Sequence, residues 1–326
     1  YMYIDPHVHC RDGKQSYKET VKHVLEIASA QGVTKIFDMP NTDPPITTEK
    51  DIKKRLKLVP KKRINDYYIW IGVTAGEEQL KEAVKCYENY KNVIGLKMFA
   101  GKSVGDLTVL EKEDQKKVYA TLKKLNYEGV IAVHCEKESL LKNEIWDPQN
   151  PITHSQSRPN EAEAESVKDQ IELAKEAGFS GTLHVCHISC PESMELVEEA
   201  RKEIKITCGV TPHHILWTDE MLNRPDGLLY KMNPPLRNQE SVEKLRKYLL
   251  EGKIDWVETD HAPHQVGEKM FPPYMSGYPT LYLYKDFVEN YLPSIGASTE
   301  LVEKMTSGNI YKVFGDKLDK ALEKII

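Results

Sequence analysis

Two histidines stand one residue apart in Asp5-Pro6-His7-Val8-His9-Cys10-Arg11. An extended chain turns alternate side chains to one side, so His7, His9 and Arg11 share a face, and two imidazoles so placed can grip one metal ion. A lone His-x-His pair is more often chance. Here it has company. His134 in Val133-His134-Cys135-Glu136 and His187 in Cys186-His187-Ile188-Ser189 each end an apolar run, where an unpaired imidazole is costly to bury. Asp260 in Glu258-Thr259-Asp260-His261-Ala262-Pro263-His264 puts a carboxylate in the same position. One such residue is usually a satisfied core group, but His7, His9, His134, His187 and Asp260 together are better explained by metal. Imidazole and carboxylate without thiolate suit zinc and leave manganese, cobalt and iron open. Lys97 in Gly95-Leu96-Lys97-Met98-Phe99 is the odd member. Burial favours its neutral amine, which can capture carbon dioxide as a carbamate whose two oxygens bridge two metals. Its plainer readings are an ammonium that reaches solvent or pairs with a carboxylate.

These residues need elements that bring them to one place. Strand-like runs occur at Met2–Ile4, Lys35–Met39, Tyr67–Val73, Ile94–Phe99, Val130–Cys135, Thr182–His187, Ile204–Val210 and Trp256–Thr259. Helical spacing fills Tyr17–Gln31, Thr48–Val59, Glu77–Tyr90, Lys112–Leu125, Glu161–Ala177, Pro191–Lys202 and Ser241–Leu250. Thr47 reads as a cap before Thr48, and Gly32, Gly178 and Gly252 read as helix ends. The alternation predicts an α/β fold, a single (β/α)8 TIM-type barrel over residues 1–326. An open doubly wound sheet alternates in the same way. What favours the barrel is that the polar residues follow many different strands, and strand ends converge on one point only in a closed ring.

With 326 residues, the chain has the length of one such barrel. Lys+Arg 45 against Asp+Glu 50 gives a net charge of −5, which argues against a nucleic-acid footprint or a polybasic membrane anchor. No apolar run approaches the roughly 18 residues of a membrane helix. The start lacks signal-peptide character, and Tyr1 is not an initiator, so upstream residues are expected to have been trimmed. Six scattered cysteines without a CxxC pair read as reduced thiols in a cytoplasmic protein.

The segments HVHCRD, DMPNT, GLKMF, VHCE, CHIS, NPPLR and TDHAPH, in this order, resemble the dihydroorotases of the amidohydrolase superfamily. TDHAPH together with HxHxR is the most specific pair, and the match runs from His7 to about Pro279. The resemblance implies two zinc ions, one held by His7, His9, Lys97 and Asp260, the other by carboxylated Lys97, His134 and His187. It further implies that Arg11, Asn41 and His264 hold a substrate carboxylate, that Asn233 is another substrate contact, and that Asp260 is the general acid/base. Its reaction is the reversible closure of N-carbamoyl-L-aspartate to L-dihydroorotate in pyrimidine synthesis. Many members carry a small β-sandwich beside the barrel; with six residues before His7, a barrel-only form is expected. The tail Gly308–Gly315 resembles the superfamily's closing Asn-Pro-Ala segment. A homodimer and an association with aspartate transcarbamoylase are the partners considered.

The rivals are a hydantoinase or allantoinase, which Arg11 disfavours because a neutral ring leaves it unpaired, and a non-catalytic scaffold, which should have lost ligands. The polar loop Phe99–Val109, with Gly101 and Gly105, is a candidate lid that would touch substrate through Ser103 and Thr108. Of the remaining histidines, alternation turns His184 away from His187 towards a helix, His213 and His214 belong to a structural loop, His261 faces away from the site, and His23 and His154 are surface residues. Cys186 and Cys190 read as idle thiols.

Overall fold

The computed structural model describes residues 3–322. Eight strands, β1 (Tyr3–Val8), β2 (Val33–Asp38), β3 (Tyr67–Gly72), β4 (Val93–Phe99), β5 (Val130–His134), β6 (Thr182–Val185), β7 (Ile206–Val210) and β8 (Trp256–Val257), lie in sequence order. Each is parallel to the next. The ring closes where Val8 bridges His261 and His9 N donates to the His261 carbonyl at 2.7 Å. β8 is short, and the buried Asp5 carboxylate mends the seam by accepting from Thr259 N (3.0 Å) and Thr259 Oγ1 (2.5 Å). Closure excludes the open sheet, and the architecture is the expected (β/α)8 barrel.

The main helices are α1 (Val21–Ala30), α2 (Glu49–Leu56), α3 (Glu77–Asn89), α4 (Lys112–Lys124), α5 (Asn160–Ala177), α6 (Pro191–Ala200), α7 (Gln239–Leu250) and α8 (Asn309–Leu322). Thr20 caps α1 by accepting from His23 N. Thr48, not Thr47, caps α2, in a reciprocal box with Asp51. Gly178 ends α5 in the left-handed region that glycine adopts without a Cβ clash. β1 runs past the expected Met2–Ile4 because pairing with β2 continues to Val8. β6 stops short of its expected end, where His187 (φ 34°) leaves the extended region, and β8 ends at Val257, before the left-handed Asp260 (φ 50°). No helix among the described residues is long and apolar enough to cross a membrane.

The apolar side chains fall into two layers, by alternation along β2 and β3 and by register shifts that break the alternation within β1 and beside Ile94 in β4. Val8, Ile36, Ile69, Ile71 and Leu96 pack outward with the helices, while Ile4, Phe37, Tyr68, Trp70, Ile94 and Trp256 fill the interior. The unforeseen α8 begins within the Gly308–Gly315 tail and sends Ile310, Phe314 and Leu318 into that interior. The Phe314 ring meets Phe37 at 5.2 Å, Trp256 at 5.7 Å and Trp70 at 5.8 Å. Asn309 Nδ2 donates to the Asp255 carbonyl just before β8, which fixes this plug at the N-terminal end of the barrel. The opposite end is left for polar groups.

Candidate active site

At the C-terminal end of the strands lies a small polar pocket. His7 and His9 reach it because Val8 between them packs outward. Their Nε2 atoms converge on one oxygen, Asp260 Oδ1, at 3.1 and 2.9 Å. Their other nitrogens face oxygens too: His7 Nδ1 lies 3.1 Å from Glu258 Oε2, and His9 Nδ1 lies 2.9 Å from Asn41 Oδ1. With Nδ1 of each ring turned to an oxygen, both Nε2 lone-pair positions converge on a carboxylate oxygen, and against the penalty of burial Asp260 holds the His7 pKa well above the ordinary imidazole value. Burial, only partly offset by Asp260, lowers the His9 pKa to about 4, so this ring carries one proton near neutral pH. Lone pairs crowded in this way fit a bound cation, so the donor set suits a divalent metal. His187 brings a third donor atom, and its atom and those of His7 and Asp260 lie within 4.8 Å of one another.

His134 ends β5, with its ring 4.7 Å from that of His187. Its Nε2 meets Glu136 Oε1 at 2.8 Å, leaving Nδ1 as the remaining ligand atom. Arg158 clamps Glu136 through both oxygens, at 2.9 Å each. Lys97 on β4 is 0% exposed, and its Nζ lies 3.1 Å from Cys186 Sγ and 4.9 Å from the centre of the Phe99 ring. Among the described residues no carboxylate forms an ion pair with it, so neither plainer reading of this lysine describes it.

The substrate side is built by turns. Arg11 is left-handed (φ 55°), not extended, yet its guanidinium lines the pocket. The turn is pinned from behind: Cys10 N donates to Asp38 Oδ1 (2.9 Å), and Arg55, paired with Asp38 at 2.6 Å, donates to the Arg11 carbonyl (2.6 Å). Burial pulls the Arg11 pKa down to about 10, although Asp260 and Asp38 oppose the shift. Asn41 lines the pocket with its amide engaged at both ends, by His9 and by the Val104 carbonyl at 3.1 Å. Asn233 lines it as well, donating to Ser103 Oγ at 3.1 Å while its own Oδ1 is buried without a partner.

Two expected substrate contacts lie elsewhere. His264 is off the pocket wall, with Nε2 3.1 Å from Arg11 Nη2 and 2.9 Å from the Ser276 carbonyl, and Nδ1 2.9 Å from Lys18 Nζ. It backs Arg11 from behind the wall. Thr108 also lies outside the lining, whereas Ser103 is in it.

Several residues escaped the sequence reading. His184 does not turn towards a helix; it points into the barrel, stacked on Trp256 at 4.5 Å and 2.7 Å from Glu258 Oε1. Counting alternation back from His187 fails because His187 lies beyond the end of the strand. Glu258 escaped notice, although a carboxylate two residues before Asp260 in an apolar strand was a signal. His154 is buried, not on the surface, and its Nε2 holds the Met232 carbonyl at 2.8 Å. His214 holds the Pro234 carbonyl at 3.0 Å, which steadies the Asn233 loop. His213 lines the pocket with a buried Nε2 that has no partner. His261 faces away as expected, towards Glu19.

No family model matches the chain. Among curated proteins, it is 35% identical over 278 residues to a dihydroorotase of Methanosarcina mazei, covering 82% of this chain and 58% of that protein. It is 31% identical over 318 residues to a dihydroorotase of Fusobacterium nucleatum, covering 96% of this chain and 72% of the relative. The chain belongs to the dihydroorotase family. It spans less than three fifths of the length of the Methanosarcina mazei and Methanosarcina acetivorans members, at 58% and 57%. Among solved structures, the barrel matches an L-hydantoinase of Arthrobacter aurescens at TM-score 0.84 and 24% identity, over 96% of this chain and 70% of that one. A dihydroorotase of Campylobacter jejuni matches at TM-score 0.73 and 19% identity, over 96% of this chain and 83% of that one. Dihydroorotases and hydantoinases therefore share this fold.

Proposed function

We propose that the chain is a zinc-dependent dihydroorotase, interconverting N-carbamoyl-L-aspartate and L-dihydroorotate. The observation that carries this reading is Arg11: a buried guanidinium on the pocket wall, paired with no carboxylate among the described residues, beside the His7–His9–Asp260 cluster. A buried cation in that position calls for an anionic substituent on the substrate. Two zinc ions would be held by His7, His9, His134, His187 and Asp260, with carboxylated Lys97 between them. When bound, they supply a Lewis acid and a water of lowered pKa.

The chain's own groups do the rest. Arg11 and Asn41 hold the ring carboxylate, and Asn233, with Ser103 on the facing loop, borders the same space. In the hydrolytic direction water oxygen adds to the ring amide carbonyl and the carbon–nitrogen bond breaks. Asp260 accepts the proton released by the water and returns it to the leaving nitrogen. In the other direction the same groups close the ring and expel water. The cytoplasmic location rests on the six cysteines, all buried and free.

The test combines a metal assay with turnover of dihydroorotate, hydantoin and allantoin by the isolated chain, with and without aspartate transcarbamoylase. Two zinc ions per chain and turnover of dihydroorotate alone are expected. Turnover of hydantoin in its place sinks the reading. Arg11→Lys keeps the metals but replaces a bidentate fork by a point charge, so KM for dihydroorotate should rise by about tenfold or more.

A further inference from the structure

Glu258 has no place in the chemistry above, yet this carboxylate takes four hydrogen bonds directly behind the site. It is 0% exposed, and each of its oxygens accepts twice. Oε1 takes His184 Nε2 at 2.7 Å and Trp256 Nε1 at 2.9 Å. Oε2 takes His7 Nδ1 at 3.1 Å and the backbone N of His187 at 3.1 Å. The neighbouring strand makes room for it: a Cβ on Gly209 would stand 1.7 Å from Oε1. A buried carboxylate is a poor device for stability, since an apolar side chain of similar volume serves as well or better. Its benefit must therefore lie in what it orients.

We infer that Glu258 is a positioning residue that fixes the His7 ring, holding its proton on Nδ1 so that the Nε2 lone pair faces the site. An ionised carboxylate only accepts, so His7 Nδ1 must donate to it, and one ring nitrogen so occupied sets the tautomer and the tilt of the other. The same oxygen holds the backbone of His187, so two of the proposed ligands are registered against a single group. Held in this way, the imidazole is also the more basic donor. The inference rests on the proposed reading that His7 Nε2 faces a metal.

The test is a zinc affinity measured by chelator competition, with the visible spectrum of the cobalt-substituted chain. Glu258→Gln places an NH2 group against two donors. It should weaken metal binding by about 10- to 100-fold and shift the cobalt bands, with two equivalents still bound at saturation. Trp256→Phe removes one donor from the opposite oxygen and leaves the His7 contact, so it should lower Tm without moving the affinity. Wild-type affinity and spectrum in Glu258→Gln overturn the inference. So does an equal loss of affinity in Trp256→Phe, which marks Glu258 as packing. Loss of a whole equivalent in Glu258→Gln also overturns it, because His7 Nδ1, Cys186 Sγ and Glu258 Oε2 would then be ligands themselves. A measurement without any variant stands beside these: the ¹⁵N shifts of His7 in the zinc-loaded chain should show a protonated Nδ1 and a metal-bound Nε2, and the reverse assignment overturns the inference. If His7→Ala binds metal as tightly as the wild type, the reading of His7 as a ligand has failed instead.

Discussion

At the N-terminal end of the barrel, Phe314 inserts among Phe37, Trp70 and Trp256, while at the C-terminal end the interior carries His7, Lys97, His184 and Glu258. The side chains of both ends come largely from the same strands, but different physics holds them. The plug is stabilised chiefly by area and shape: Phe314 meets Phe37 and Trp70 edge to face and Trp256 at a tilt, so the cost of a change there scales with the volume removed. The mouth is held by donor–acceptor matching, where a change of one atom strands a buried partner. The comparison teaches that stability and chemistry can be perturbed separately in this chain.

The largest effect should come from the mouth. Lys97→Ala removes the bridging group and should cost several kcal/mol of transition-state stabilisation, on the order of 10⁴-fold in kcat. Metal content should fall, Tm should stay within a few degrees, and short-chain carboxylic acids should restore part of the rate. A fully active two-metal enzyme with a free amine at Lys97 refutes the bridge. Phe314→Ala is the counterpart at the plug. It should lower stability by about 3–5 kcal/mol while the folded fraction keeps wild-type kcat and metal content, and a changed kcat would mean that the two ends are coupled.

Lys269 belongs to neither end. It sits in a short helix (Val266–Met270) beside the mouth, 4% exposed, donating to the carbonyls of Lys231 and Gly277. Burial, with Lys231 and Arg11 adding to it, lowers its pKa from 10.5 to about 7. Between about pH 7 and 10 the unfolded chain therefore binds more protons at this site, so its contribution to stability rises with pH, by at most about 1.4 kcal/mol per unit. Lys269→Met should flatten that slope in denaturant titrations at several pH values, and an unchanged slope would place the proton elsewhere. The smallest effect concerns the loop. Ser103→Ala removes the partner of Asn233 Nδ2 and should cost about 1 kcal/mol, a few-fold in kcat/KM. Thr108→Ala, off the pocket wall, should leave turnover unchanged; equal losses in both would restore Thr108 as a lid contact.

The local physics of the chain was largely legible from its residues. Period-two and helical patterns placed all eight strands and seven of the main helices, because burial of one face writes a repeat into the sequence. The four histidines, Lys97 and Asp260 announced themselves as polar groups in or beside apolar runs, and the structure gathers them at one pocket. Boundaries were less legible where left-handed residues such as His187 and Asp260 follow a strand without a glycine to mark the turn.

By itself, then, the sequence determined the alternation, the family and the identity of the groups that could bind metal, since each of these depends on neighbours along the chain. Only the tertiary structure decided that the ring closes through Asp5 and Val8, that α8 plugs its floor, and that His264 stands behind Arg11 instead of on the pocket wall. It also decided that Glu258 ties His7 to His184. These are contacts between residues far apart in the chain, set by barrel closure and by which carboxylate finds which donors, and no local periodicity encodes them.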